Sequence, residues 1–334
     1  MKDQYHPAIE SVDNPSLDVS IILVNWNTRE IILQCLDSIR KHTTGISYEI
    51  IVVDNGSTDG SVAALQSLSD VHLIANPIGE GFARANNRAM KIAKGRAWLL
   101  INQDTILLGN VIKTCTDLLW SDPSIGMVGC KLLNADGSLQ HSCAKYPRLL
   151  TPLLGRYSLV SHVPGLKNKS PRFARMYSSA EHEKPMFPEW IMGAFMLVRP
   201  EAVAQCGPLE ERLFLYSEDM EWGYRFWKHG WKVAYTPEMA IIHLGGYSVR
   251  KLPEETLRRN IESLSIYLAI HQPAMRRPYL LSEILSVFIE AVLFNTVFRK
   301  GGFTSKNVNR SRRLRIKLLW AEVCRSVSLE PRKA

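Results

Sequence analysis

Four consecutive β-branched residues, Ile50-Ile51-Val52-Val53, run straight into Asp54-Asn55-Gly56-Ser57-Thr58-Asp59-Gly60. An unbroken apolar run of this kind reads as a strand buried on both faces, the pattern of a parallel sheet. Open parallel sheets take ligands in the crevice beyond the carboxyl ends of their strands, and Asp54 stands at such an end. A carboxylate only accepts hydrogen bonds, so a base with a ring N–H, namely uracil, thymine or guanine, suits it as a partner. Asp54 and Ser57 equally suit the start of the next helix.

The pattern recurs. Val19–Val24 is a strand-like run ending in Asn25-Trp26-Asn27, and Asn27 followed by Glu30 predicts a helix start. Ile31, Ile32, Cys35, Leu36 and Ile39 give that helix one apolar face. Further strands are expected at Val71–Ala75 and Trp98–Ile101, with helices at Ser61–Leu68 and Phe82–Ala93. Such alternation implies right-handed βαβ crossovers and a parallel sheet. After Ile125 the pattern changes. Asn134-Ala135-Asp136-Gly137 predicts a hairpin turn, Tyr146–Pro188 a long loop near the active face, and Trp190–Val198 one buried strand. A helix at Glu218–His229 and strand pieces at Lys232–Tyr235 and Ala240–Ile242 follow.

With 334 residues, the chain has room for one large α/β domain with an appendage, or for two small domains. Six cysteines lack any Cys-x-x-Cys pair, which argues against a zinc site or a disulfide framework and fits a reducing cytosol. The polar segment Met1–Asp18 has no apolar stretch of the secretory type. Net charge is +9, and residues 299–334 alone hold eleven Lys/Arg against two Asp/Glu. The tail therefore accounts for the whole surplus, and the search for an anionic partner starts there.

Several positions can carry chemistry. Asp104 follows the run Trp98–Ile101 in Asn102-Gln103-Asp104, and a carboxylate there can hold a divalent cation that bridges phosphates. His243 ends Ala240-Ile241-Ile242, where an imidazole can complete a metal shell or serve the structure alone. Gly79 and Gly81 open a helix and can bring N–H groups toward a diphosphate, with Arg84 adding a donor fork. Arg84 also replaces the third glycine of a dinucleotide fingerprint, which weakens that alternative. Glu218, Asp219 and Glu221 crowd the start of one helix. Crowding raises proton affinity and a helix start lowers it, so the cluster admits both a general base and a dipole-favoured helix start.

The ordered set Val-Asn-Trp-Asn (24–27), Val-Val-Asp-Asn-Gly-Ser-Thr-Asp-Gly (52–60), Asn-Pro-x-Gly-x-Gly-Phe-Ala-x-Ala-Asn-Asn (76–87), Asn-Gln-Asp-Thr (102–105), Gly-Ala-Phe-Met (193–196), Glu-Asp-Met-Glu-Trp (218–222) and Ile-His-Leu-Gly-Gly (242–246) resembles family 2 inverting glycosyltransferases of the GT-A fold. In detail it is similar to the rhamnosyltransferase-like branch that builds O-antigen and other cell-surface polysaccharides. The resemblance implies an α/β fold with a mostly parallel central sheet flanked by helices and a C-terminal helical extension. It implies a GT-A domain at 18–250, with a nucleotide-sugar half at 18–130 and an acceptor half at 131–250, between a polar segment at 1–17 and a basic extension at 251–334. By position it implies that Asn25, Asn27, Asp54, Asn55, Gly79, Gly81, Arg84, Asn86 and Asn102 bind the nucleotide sugar. Asp104 and His243 would hold Mg2+ or Mn2+, Asp219 would be the base with Glu218 beside it, and Trp190, Gly193, Ala194, Glu221 and Trp222 would line the sugar and acceptor side. Asn102 stands where the family often has the first Asp of Asp-x-Asp, and an amide is a weaker metal ligand than a carboxylate. The implied donor is dTDP-rhamnose, with a UDP-hexose as the alternative, and the implied acceptor is a lipid-linked saccharide.

A lipid-linked acceptor makes an anionic membrane surface the expected partner of the tail. Tyr279–Phe298 is apolar with a narrow polar face of Ser282, Glu283, Ser286 and Glu290, which favours a packed or interfacial helix over a spanning one. Ile316, Leu319, Trp320 and Val323 share one face of a later helix, ringed by Arg312, Arg313, Arg315 and Lys317. These features suggest a cytoplasmic enzyme lying peripherally on the inner face of the cell membrane. A nucleic-acid-binding protein would share the basic tail but leave the acidic strand ends unexplained, so nucleic acid is not an expected partner. A sugar nucleotidyltransferase would also use a nucleotide-binding sheet, but the Glu218-Asp219 segment argues against it.

Overall fold

The computed structural model describes residues 17–154, 176–245, 253–297 and 306–326. Two compact units divide the chain, one comprising 1–144 with 178–251 and the other 145–177 with 252–334. Residues 145–177, expected in the catalytic half, thus fall with the C-terminal helices.

In the first unit the elements are β1 (Leu17–Asn25), α1 (Arg29–His42), β2 (Tyr48–Asn55), α2 (Ser61–Gln66), β3 (Val71–Asn76), α3 (Phe82–Met90), β4 (Gly95–Asn102), β5 (Thr105–Leu107), α4 (Val111–Ser121), β6 (Ile125–Leu133), β7 (Leu139–Gln140), β8 (Cys143–Ala144), α5 (Ser179–His182), β9 (Trp190–Ile191), β10 (Phe195–Val198), α6 (Pro200–Cys206), α7 (Glu218–Lys228) and β11 (Lys232–His243). The main sheet has the order β3-β2-β1-β4-β10-β6-β11-β5, with β7 beside β6. β3, β2, β1 and β4 are mutually parallel, β10 enters antiparallel, and β6 and β11 are parallel to each other. The apolar faces of β1, β2 and β4 are buried against Ile32, Cys35, Leu36 and Ile39 of α1, which confirms the helical period read from the sequence.

Three sequence expectations change. The helix start predicted from Asn27 and Glu30 is not a capping box, because α1 begins after Thr28 without a side-chain cap. Asn27 sits at φ 52, and its side-chain oxygen accepts the Thr58 N–H at 2.8 Å instead. The run Trp190–Val198 is two strands, with β9 pairing β8 and β10 entering the main sheet. Its middle cannot continue one ladder, since Met192 N–H goes to Ser142, Gly193 N–H to Asp219, and the Ala194 carbonyl to Asn102. The two pieces around Pro237 are one strand, β11, with a register shift between Thr236 and Ala240, where proline supplies no ladder donor.

In the second unit a helical turn at Thr151–Leu154 precedes α8 (Pro253–His271), α9 (Pro273–Val297) and α10 (Lys306–Cys324). Ile261, Leu280 and Leu319 form its small core. Arg276 is buried, and its guanidinium donates to the Glu322 and Arg325 carbonyls at the end of α10. These are the carbonyls a helix end leaves unpaired. The face expected of α10 divides: Leu319 is buried while Trp320 is 56% exposed. Phe298, the last residue of the expected apolar helix, and Gly246 lie outside the described residues. Among the described residues no helix is long and apolar enough to cross a membrane.

Gly95 starts β4, where its N–H and that of Lys94 donate to Ser20 Oγ at 2.8 and 3.0 Å. A methyl group there would overlap the backbone of Val19 and Ser20. Gly95→Ala is therefore expected to destabilise by about 2 kcal/mol or more, read as a lower urea midpoint.

Candidate active site

The carboxyl ends of β1, β2 and β4 lie side by side, with Asn25 in register with Asp54 and Val24 with Asn102. Asp54 is fully buried there. Its two oxygens accept from Asn25 Nδ2 at 2.7 Å and from the Ser57 N–H at 2.8 Å. Asn25 in turn accepts from Thr28 Oγ1 at 2.7 Å. These residues tie β1 to the turn after β2, so Asp54 faces an internal knot rather than open crevice. Trp26, 38% exposed, and the half-buried Asn27 form the rim of this knot.

The glycine loop is held the same way. Asn55 Oδ1 accepts the Glu80 N–H at 2.9 Å, and a Cβ on Gly79 would lie 3.3 Å from the Asn55 carbonyl. Gly81, at φ +89, lies where a Cβ would come within 2.7 Å of the Phe214 carbonyl, which also accepts the Phe82 N–H at 3.1 Å. Arg84 pairs with Glu211 at 3.2 Å, and buried Asn86 donates to the Phe82 carbonyl of its own helix. Gly81 and Asn86, expected to contact the nucleotide sugar, are instead packed inside. The glycines are required because the loop lies against β2 and the Phe214 segment.

A second group closes around β4. The Asn102 N–H donates to the Ala194 carbonyl at 3.1 Å, and its side-chain Nδ2 lies 3.3 Å from His243 Nε2. That same Nε2 is 3.4 Å from Asp104 Oδ1, and both Asp104 and His243 are nearly buried. His243 Nδ1 lies 2.7 Å from Gln140 Oε1. An amide oxygen only accepts, so Nδ1 carries the hydrogen, and in the neutral ring Nε2 is the acceptor that meets the Asn102 amide. Gln140 is placed by the hairpin at Asn134–Gly137, which sets Leu132 opposite Gln140. Nothing in the sequence marked Gln140, because its role depends on that strand register. Among the described residues no three His, Cys, Asp or Glu side chains cluster as a metal cage. Asp104 fits the sparse carboxylate contribution usual for a divalent cation held largely by water and phosphates, and the neutral imidazole of His243 can add a nitrogen ligand, which suits Mn2+ better than Mg2+.

The third group is the start of α7. Asp219, half-buried, accepts the Gly193 N–H at 2.9 Å and the Met220 N–H at 2.8 Å. Hydrogen bonds and the chain step Gly193–Ala194 thus link Asp219 to Asn102 and His243, with Asp104 3.4 Å from His243 Nε2. Tyr216 and Ser217 precede it at φ 72 and 65, two successive left-handed residues without a glycine. Such conformations cost about 1–3 kcal/mol each and concentrate at functional sites. Glu218 is buried, and among the described residues its Oε2 has no hydrogen-bond partner. Burial, with the Asp219 charge beside it, pushes its carboxyl up to about 8.

The remaining expected acceptor residues divide. Trp222 is fully buried, packs edge-on against Phe226 and donates its indole N–H to the Gly207 carbonyl. Glu221 is 1% exposed and pairs with Arg225 at 2.7 Å. Neither lines an open surface, because one turn of α7 carries them inward. Trp190 is 8% exposed and backs onto Gly223.

Residues 20–138 match the profile of Glycosyl transferase family 2. Residues 20–138 are therefore a family 2 glycosyltransferase domain, which makes the chain a transferase. It is 29% identical over 232 residues to the N-acetylglucosaminyl-diphospho-decaprenol L-rhamnosyltransferase of Mycobacterium tuberculosis, covering 66% of this chain and 74% of the relative. It is 31% identical over 97 residues to the UDP-Glc:alpha-D-GlcNAc-diphosphoundecaprenol beta-1,3-glucosyltransferase WfgD of Escherichia coli, covering 28% of this chain and 38% of the relative. The crystal structure of GalNAc-T7 with UDP, GalNAc and Mn2+ superposes with a TM-score of 0.56 at 15% identity, over 93% of this chain and 57% of that one. The fold is thus of the GT-A type, with a mixed α/β sheet.

Glu218 gives a pH signature. Its folded carboxyl titrates at about 8, above the ordinary 4.5, so the stability tied to its protonated form is full at low pH. That stability declines as pH rises from the ordinary value and is gone once pH passes the folded one. Thermal melts across this range are expected to fall more steeply for the wild type than for Glu218→Gln, with the difference levelling above pH of about 8.

Proposed function

We propose that this chain moves a sugar, rhamnose in the favoured reading, from a nucleoside-diphosphate donor to a hydroxyl of a lipid-linked saccharide, with inversion at the anomeric carbon. The observation that carries the reading is the chain of contacts joining Asp219 through Gly193 and Ala194 to Asn102 and His243, with Asp104 beside the imidazole. It brings a candidate base within a few residues of a candidate cation site. In this reading Asp219 takes the proton of the acceptor hydroxyl as that oxygen bonds to the anomeric carbon. The bond from that carbon to the diphosphate breaks, and its electron pair leaves with the nucleoside diphosphate. Asp104 and His243 would hold Mg2+ or Mn2+, and Asn102 would turn its amide to offer Oδ1, since its NH2 group competes for the same nitrogen lone pair. When bound, such a cation supplies neutralisation of the charge developing on the leaving group.

The M. tuberculosis relative, named as a rhamnosyltransferase acting on N-acetylglucosaminyl-diphospho-decaprenol, supports rhamnose and a polyprenyl-linked acceptor. A UDP-hexose donor is the second reading, favoured by the donor in the name of the E. coli relative. Both names point to work at a membrane, and we assign the enzyme peripherally to the inner face of the cell membrane. The direct test is transfer of labelled sugar from dTDP-rhamnose or UDP-glucose to a polyprenyl-diphosphate N-acetylglucosamine, with and without Mn2+ or Mg2+. Transfer from neither donor overturns the reading.

Two variants test the roles. Asp219→Asn is expected to keep donor affinity and lose turnover by roughly 10²–10⁴-fold; near-normal turnover removes Asp219 as the base. Gln140→Leu frees the His243 ring and is expected to raise the half-saturating Mn2+ concentration by about 10–100-fold. An unchanged Mn2+ titration separates Gln140 from the cation site.

A further inference from the structure

Helix α9 has two apolar sides, of which only the one with Tyr279, Leu280 and Val287 is buried. Its polar side faces inward within the second unit. Ser282 Oγ donates to the Leu149 carbonyl at 3.1 Å, Ser286 Oγ to the Pro152 carbonyl at 2.7 Å, and Glu283 accepts from Arg315 at 2.6 Å. The outward stripe carries Leu281, Leu285 and Phe288, which are 45%, 47% and 58% exposed. Spacings of four and three residues set these side chains in one line along the helix. Leu149 and Leu150 are exposed as well, on the segment whose Leu149 carbonyl Ser282 holds. A pocket of about 460 Å³ opens at the start of α9, between Pro147–Leu149 and Gln272–Met275. Single exposed leucines are ordinary, whereas a contiguous apolar stripe marks an interaction surface.

We propose that this stripe is a monotopic membrane-contact surface that lies on an anionic bilayer. Charge selects that occupant. Arg148 and Arg277 are exposed at the end of the stripe where the pocket lies. Basic side chains at the end of an apolar stripe suit the headgroup layer, where each adds about 1 kcal/mol. A second copy of this chain would bring like charges together across a two-fold axis. The surface deepens the proposed function, since a lipid-linked acceptor is met at a membrane, but its test does not depend on sugar transfer.

The full chain would be sedimented with vesicles of phosphatidylcholine plus phosphatidylglycerol, and with phosphatidylcholine alone. Binding to the anionic vesicles only is expected, lost in strong salt, where screening shortens to about 3 Å. Leu281→Glu/Leu285→Glu/Phe288→Glu should cut partitioning about tenfold or more, while Leu108→Glu, at an exposed leucine of the first unit, should leave it unchanged. In wild-type protein, hydrogen exchange of 278–290 should slow when anionic vesicles are added, a measurement that does not depend on the variant folding. Equal binding to neutral vesicles, equal binding by the triple variant, or a wild-type dimer that the triple variant dissociates would each overturn the surface. Transfer activity with no vesicle binding sinks this surface alone, and vesicle binding through the stripe with no transfer sinks the function alone.

Discussion

The hydrogen bond from the Asn102 backbone N–H to the Ala194 carbonyl is the join on which the site depends. At the end of a parallel strand such a group has no ladder partner and must find one elsewhere. It finds one because β10 runs antiparallel to β4, so the residues that enter β10 lie at the edge where β4 ends. Asn102 is tied on its other sides too: its carbonyl accepts from Thr105 Oγ1 at 2.7 Å, and its amide reaches His243. One reversed strand in an otherwise parallel region therefore brings Gly193, and with it Asp219, to the edge that carries Asp104. A purely parallel sheet would have set the start of that strand at the opposite edge.

The same edge holds a conflict of charge that the backbone resolves. Tyr216 and Ser217 are both left-handed, and the turn they make delivers two adjacent carboxylates in different directions. Glu218 goes inward, where burial and the Asp219 charge favour its protonated form, while Asp219 stays half-exposed on the Gly193 N–H. At neutral pH Glu218 is thus mostly neutral, and repulsion within the pair is relieved without moving either side chain. An ordinary helix start would have exposed both to solvent and left the repulsion in place.

How much of this the sequence showed depends on whether a feature is local. Ile50–Val53 and Trp98–Ile101 are strands because continuous apolar runs have few other homes, and they were legible as such. Trp190–Val198 looked the same but is broken, since Met192, Gly193 and Ala194 differ in their backbone partners rather than in their side-chain character. Gly81 was read as bringing its N–H toward a diphosphate, whereas glycine is needed there because of the Phe214 carbonyl across the loop. Polar residues at strand ends were the least legible. Asn25 and Asp54 lie where a ligand site was expected, but pattern alone cannot tell residues that meet a ligand from residues that bond each other. Gln140 was invisible for the complementary reason, because a one-residue slip in the β6–β7 register would turn it away from His243.

Charge shows the division of labour most plainly. The surplus of nine lies wholly within residues 299–334, so the rest of the chain is balanced overall. A site built from Asp104, Glu218 and Asp219 needs no basic field of its own if a cation offsets the donor phosphates. The second unit uses its charges differently. Arg276 and Arg315 are spent internally, on the end of α10 and on Glu283, while α9 buries its serines with Leu280 and leaves Leu281, Leu285 and Phe288 outside. In water that arrangement exposes apolar surface for no gain. It becomes favourable where the medium beyond Leu281, Leu285 and Phe288 is itself apolar, and Arg148 and Arg277 are exposed at the end of α9 where such a medium would carry its headgroups.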